Sequence, residues 1–172
     1  MNSNNLEKEK ILTFFKENKF EDVIVEGKKL FKQRQNDAQL IHLLGLSSIK
    51  LENFDDAENY FNKLILLNKN TENLYVLGNI QKKLKKFDNA IISFEEAIKL
   101  NPNFTEAYNN LGNAQKSLNK YQEAIINYKN AISLKKNNLE ANYNLASLYF
   151  LLENYVEALD HYKNIINSEA RH

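Results

Sequence analysis

The chain has no cysteine and no tryptophan, and only one proline and four glycines among its 172 residues. The lack of cysteine excludes disulfides and thiolate metal sites while leaving the cellular compartment open. So few turn-forming residues cannot supply the many tight turns of an all-β chain. An excess of one charge is missing too: 23 Lys and Arg against 22 Asp and Glu leave a formal charge of +1. With the two signs interspersed, nothing electrostatic points to nucleic acid or to an anionic membrane. No apolar run approaches the ~20 residues of a membrane span. The opening MNSNNLEKEKILTFF has neither the apolar core nor the small-residue cleavage site of a signal peptide. These absences make a soluble cytoplasmic protein, with no membrane insertion, the expectation. Asn, Lys, Ile and Leu are abundant, a bias we read as that of an AT-rich genome. The length suits one ordinary domain with a sizeable core.

The scarce glycines stand in register. Gly45, Gly78 and Gly112 recur at repeat spacing, and Ala146 continues the series. Each is preceded by a leucine (Leu44, Leu77, Leu111, Leu145) and followed by an alanine further on (Ala57, Ala90, Ala124, Ala158). Aromatics flank those alanines: Phe54, Phe87, Tyr121 and Tyr155 before, Phe61, Phe94, Tyr128 and Tyr162 after. Self-similarity of this kind is the mark of a stacked repeat array. Within a copy, Tyr108, Leu111, Gly112 and Gln115 share one helical face, as do Tyr121, Ala124, Tyr128 and Ala131. Helix A is predicted near 105–117 and helix B near 121–134, with the polar SLNKY as the turn between them. Asn36 with Gln39, Asn103 with Glu106 and Asn137 with Glu140 have the spacing of capping boxes. A repeated glycine costs about 1 kcal/mol against alanine in a helix, so two helix backbones are expected to approach closely there.

The pattern of a bulky residue, Leu-Gly, Ala, aromatic and Ala resembles the tetratricopeptide-repeat (TPR) family. Copy 105–138 carries it as Tyr108, Leu111-Gly112, Ala124, Tyr128 and Ala131, and departs with Gln115 and Lys136 where the family has Tyr and Pro. Copy 71–104 has Leu74, Leu77-Gly78, Ala90, Phe94, Ala97 and Pro102. Copy 139–172 keeps Leu145-Ala146, Tyr149, Ala158 and Tyr162 with Asn142 at the bulky position, copy 38–70 is looser, and residues 4–37 form a degenerate copy with Phe20 and Val23 in register and Gly27 where an aromatic would stand. The resemblance implies an all-α fold, a right-handed TPR solenoid of antiparallel helix pairs running as a single array over 1–172.

In such arrays one stripe of helix A lines a concave groove. That resemblance nominates His42, Tyr75, Asn79, Lys82, Asn109, Asn110, Asn113, Lys116, Tyr143, Asn144 and Ser147 as peptide-binding residues. A carboxamide can pair with both the N–H and the C=O of a bound peptide, and Asn109, Asn110 and Asn113 are expected to face away from the Leu111-Gly112 packing. Some TPR domains clamp a carboxylate with cations at the positions held here by His42, Asn110, Glu140 and Asn144. None of these is Lys or Arg, so charge-assisted capture of a carboxylate is not expected.

Catalytic chemistry has little footing. The histidines are His42, His161 and His172, with no triad spacing, phosphate loop or metal-ligand cluster around them. His161 is expected on a convex, solvated face. We therefore expect no cofactor, no metal and no enzymatic activity. The function expected is a scaffold that binds an extended peptide of a protein partner. The alternatives are a spacer or oligomerisation module acting through its ends, and the substrate-presenting region of a larger enzyme such as a protein O-linked sugar transferase. The sequence stops at YKNIINSEARH, where the last helix B ends, and no extra polar capping helix is expected. An apolar end face of Tyr143, Leu148, Tyr149, Leu152, Leu159 and Ile166 is expected there, covered by a second copy as a homo-oligomer or by further repeats of a longer protein.

Overall fold

The helices expected near 105–117 and 121–134 are Thr105–Ser117 and Tyr121–Leu134. The computed structural model describes residues 3–169, and among them all regular structure is helical. The chain divides into two compact units, Met1–Lys85 and Lys86–His172. The first contains α1 (Ser3–Lys16), α2 (Phe20–Phe31), α3 (Ala38–Lys50), α4 (Phe54–Leu67) and α5 (Thr71–Lys83). The second contains α6 (Phe87–Leu100), α7 (Thr105–Ser117), α8 (Tyr121–Leu134), α9 (Leu139–Leu151) and α10 (Tyr155–Glu169). Within each unit every helix packs on its chain neighbours, and α3 also reaches α1 as α9 reaches α7.

One local device ends each helix A. Asn18, Glu52, Lys85, Asn119 and Glu153 take φ of 59°, 57°, 59°, 58° and 61°, at the repeat spacing. A left-handed residue there lets the following N–H reach back to the last turn: Lys19 to Phe14 O, Asn53 to Ser48 O, Lys120 to Gln115 O and Asn154 to Tyr149 O, each at 2.9 Å. This is the Schellman closure normally given to glycine. The glutamates and the lysine adopt it at a cost of roughly 1–2 kcal/mol each.

The caps differ from the sequence expectation. Asp37, not Asn36, caps α3 by accepting from Leu40 N at 3.1 Å, and Asn138, not Asn137, caps α9 by accepting from Ala141 N at 3.0 Å. Phe104 stands at the start of α7 with no side-chain cap, so Asn103 does not serve there either. Asn53 and Asn70 cap α4 and α5. The cap must be the last non-helical residue for its oxygen to reach the N–H three residues on, and the asparagines nominated first lie one residue too early. Asp37 also accepts from Lys8 Nζ at 2.8 and 3.0 Å, which ties α1 to the start of α3. Burial works against its ionisation, but the Lys8 ammonium and the Leu40 N–H hold the carboxyl below its ordinary range.

The repeat register becomes packing. In the first unit Ile11, Val23, Leu30, Leu40 and Leu44 form one apolar cluster, and Ile41, Ala57, Phe61, Leu64 and Leu77 form another. In the second unit Ala124, Ile125, Tyr128, Leu145, Leu148, Tyr149 and Ala158 pack together. The glycines are required, but by side chains rather than by an approaching backbone. A Cβ on Gly45 would lie 2.8 Å from Phe61 Cε2, and one on Gly112 would lie 2.6 Å from Tyr128 Cε1. Helix A is thus thinned to admit the helix B aromatic. In the degenerate copy the order of sizes is reversed, with the buried Ile11 in the glycine register and Gly27 in the aromatic register.

At the end of the second unit the expected apolar face is only partly open. Leu148 and Tyr149 are buried between helices rather than presented outward, because α10 covers them. Leu152 is half-buried, whereas Tyr143, Leu159 and Ile166 are exposed.

Candidate functional site

The helix A stripe nominated for peptide binding has a different character in each unit. In the first unit, α3 and α5 present His42, Tyr75, Asn79 and Lys82, of which His42 is exposed and the others half-buried. His42 borders a cavity of about 320 Å³ lined also by Ala38, Gln39, Leu64, Glu72 and Val76, with the carboxamides of Asn68, Asn70 and Asn73 along one side. The His42 ring meets Phe61 edge-on, with centroids 5.9 Å apart. Partial burial pushes its imidazole below the ordinary histidine value, and the Glu72 carboxylate opposes that shift. That direction favours the uncharged ring, and Glu72 is the only Asp, Glu, Lys or Arg among the lining residues.

The side chains of Asn70 and Asn73 there are held rather than loose. Asn73 Nδ2 donates to Asn68 O at 3.0 Å, while Asn73 N donates to Asn70 Oδ1 at 2.8 Å. The α4–α5 connection therefore builds one wall of the cavity as part of capping α5. Sequence pattern could not nominate Asn68, Asn70 or Leu64, because they belong to helix B and the connection after it. The only signal was their position opposite His42 in the repeat.

In the second unit the asparagines serve the packing. Asn109 is only 2 % exposed, and its Oδ1 accepts from Asn144 Nδ2 at 2.9 Å, which bridges α7 and α9. Asn110 is 9 % exposed. Asn113 is half-buried, and its Oδ1 accepts the Tyr128 hydroxyl at 2.8 Å. The expectation that all three face away from the packing is thus corrected. At this depth a carboxamide must find partners inside the protein, and Asn109 and Asn113 find theirs on neighbouring helices. Gln115, in the register of the family tyrosine, is buried and accepts from Asn127 Nδ2 at 2.8 Å.

In the second unit two aromatics of this stripe remain open, beside the exposed Glu106 and Glu140. Tyr143 is 58 % exposed and stands edge-on to Tyr162 at 6.3 Å. Phe150, in the register of Lys116, is exposed and stands edge-on to Tyr155 at 5.5 Å. Lys116 and Ser147 are half-buried, with Ser147 Oγ 3.5 Å from the Tyr162 hydroxyl.

His161 departs from expectation as well. It is half-buried and turned toward α9, with Nδ1 3.0 Å from Asn142 Oδ1 and its ring stacked on Tyr149 at 5.9 Å. Asn142, with a carboxamide in a register otherwise bulky, is what makes room for the ring. His172 lies outside the described residues. Among the described residues no group of three or more His, Cys, Asp or Glu could hold a metal ion. No helix there is long and apolar enough to cross a membrane.

Antiparallel helix pairs in register, with Gly45 and Gly112 thinned to admit the facing Phe61 and Tyr128, define a helical-repeat interaction scaffold. Tetratricopeptide-repeat models match residues 38–71 and 105–138, and a TPR-repeat model matches 78–119. Together they span more than half of the chain, which belongs to the tetratricopeptide-repeat family. No curated protein matches it in sequence. Among solved structures, a MamA protein superposes with a TM-score of 0.91 at 23% identity, covering 98% of this chain and 92% of that one. MamA from Desulfovibrio magneticus RS-1, residue 41 to the end, gives 0.91 at 18% identity, covering 99% and 97%. YrrB, described as a TPR protein with an unusual peptide-binding site, gives 0.82 at 22% identity, covering 94% and 84%. At these identities the likeness concerns the fold.

Proposed function

We propose that this chain binds an extended segment of a partner protein along the helix A stripe, without catalysing a reaction. The observation that carries the reading is the cavity beside His42, where the stripe is concave and combines an apolar floor with fixed carboxamides. Ala38, Leu64 and Val76 would take up apolar surface, while Gln39 and the asparagine wall offer donors and acceptors to a peptide backbone. In the second unit, exposed Tyr143 and Phe150 supply aromatic contact of the kind that anchors recognition surfaces. YrrB, a relative in fold, is itself described as having a peptide-binding site, which fits this use of the scaffold.

The binding residues we assign are therefore a revised set. His42, Tyr75, Asn79 and Lys82 stay for the first unit, and Tyr143, Ser147 and Lys116 for the second. Asn109, Asn110, Asn113 and Asn144 act mainly by holding the stripe in shape. The test is selection of binders from a random display library of dodecapeptides, followed by affinity measurement. His42→Ala should weaken peptides that bind the first unit, and Tyr143→Ala those that bind the second, each by about tenfold or more with unchanged helicity. Leu66→Ala, at a position 86 % exposed on α4, serves as the control. Equal binding by the stripe variants and the control would reject the reading.

A further inference from the structure

The outer face of α10 repeats a surface that is covered elsewhere in the same unit. On α8, Ile125, Tyr128 and Ile132 pack against Leu145, Leu148 and Tyr149 of α9, and Ile125 is left only 8 % exposed. In the same register one repeat later, α10 carries Leu159, Tyr162 and Ile166. Leu159 is 54 % exposed and Ile166 is 64 %, with Val156 beside them at 81 %. Tyr162 is half-buried against α9, but among the described residues no helix lies over Leu159 and Ile166. We propose that α10 pairs with α10 of a second copy of this chain, tail to tail and antiparallel.

The chemistry of the alternatives selects that partner. A head-to-tail stack would bring α1 of another copy onto α10, in the way α9 lies on α8. In α1 the positions in register with Leu145 and Leu148 are Lys10 and Thr13, both exposed and flanked by exposed Glu9 and Lys16. Such a contact would set the Lys10 ammonium and the Thr13 hydroxyl against Leu159 and Ile166 and leave only Phe14, in register with Tyr149, as an apolar partner, a poorer match than α9 offers α8. It would also be heterologous and open-ended.

Pairing α10 with itself places apolar surface on apolar surface and closes after two copies, as an isologous contact must. The charges fit only one direction. Exposed Asp160 and Lys163 lie along one edge of the stripe. Antiparallel helices bring Asp160 of one copy toward Lys163 of the other, whereas a parallel two-fold pair would put these edges on opposite flanks, where they do not meet. The burial is of the kind already found between α8 and α9, with Leu159 and Ile166 in the roles of Ile125 and Ile132. This pairing is independent of whether the helix A stripe binds peptide.

Size-exclusion chromatography with light scattering on the full chain tests it. The expected result is a concentration-dependent species of twice the 20.1 kDa chain mass. Leu159→Glu and Ile166→Glu should return the monomer mass with an unchanged circular dichroism spectrum, since both positions are exposed in the single chain. Asp160→Lys should weaken the dimer by about tenfold, and Asp160→Lys with Lys163→Asp should restore it. Lys10→Glu should have no effect. A strict monomer at the highest concentration reached would overturn the proposal. So would a dimer unaffected by Leu159→Glu, or a ladder of larger species sensitive to Lys10→Glu.

Discussion

Gly112→Ala sets two effects of opposite sign against each other. Alanine is favoured over glycine inside a helix by about 1 kcal/mol, so propensity alone predicts a more stable protein. The structure predicts the reverse. The new Cβ would lie 2.6, 2.8 and 3.1 Å from Cε1, Cδ1 and Cζ of Tyr128, where carbon atoms prefer about 3.5–4.0 Å. The ring would have to retreat by roughly 1 Å, yet it is fully buried and its hydroxyl is tied to Asn113 at 2.8 Å. Overpacking of this kind costs about 1–3 kcal/mol, and loss of the Tyr128–Asn113 hydrogen bond adds about 1 kcal/mol. After the gain in propensity, the net loss is about 1–3 kcal/mol. Urea unfolding followed by circular dichroism should show a lowered midpoint for Gly112→Ala. Ala146→Gly, where alanine is already accommodated in the same register, should cost about 1 kcal/mol, as propensity predicts. A raised midpoint for Gly112→Ala would refute the claim that the aromatic ring dictates the glycine.

Two further outcomes follow from buried polar groups. Ser47 is fully buried, its hydroxyl has no partner among the described residues, and the same register in copy 105–138 holds buried Ala114; Ser47→Ala should stabilise by about 1 kcal/mol in the same unfolding assay, and destabilisation would show that the hydroxyl is bonded. Burial lowers the imidazole pKa of His161, opposed by Asp160 and assisted by Lys129. The unfolded chain then binds more protons below its histidine pKa of about 6.5, so stability should fall as pH drops through and below that value. His42 shifts in the same direction, so His161→Gln should remove part of the slope between about pH 7 and pH 5; an unchanged slope would remove His161 from the account.

Much of the fold was legible because its determinants are local and recur. Leucine, glycine, alanine and aromatic positions in fixed register place the helices, and the boundaries of α7 and α8 agree with those expected from that register. The class excluded by the scarcity of turn residues was also readable in advance. The capping residues were misplaced by one position, since a cap is defined by where the backbone leaves the helix, and Asn36, Asn103 and Asn137 each stand one residue before that point.

The site was legible only as a stripe. Sequence determined that His42, Tyr75, Asn109 and Tyr143 occupy one register of helix A. It could not decide which of them meet solvent, because exposure depends on the volume of side chains from other helices. His42 and Tyr143 stay open, while Asn109 is drawn inside by Asn144 across the gap between α7 and α9. His161 was assigned to solvent by helical phase alone, but the small Asn142 and the flat face of Tyr149 give it a place inside. By itself the sequence determined the repeat, the family and the need for a small residue at Gly112. Only the tertiary structure decided that a tyrosine ring, rather than a backbone, imposes that need. Periodicity fixes which side of a helix a residue is on, whereas packing fixes what it meets there.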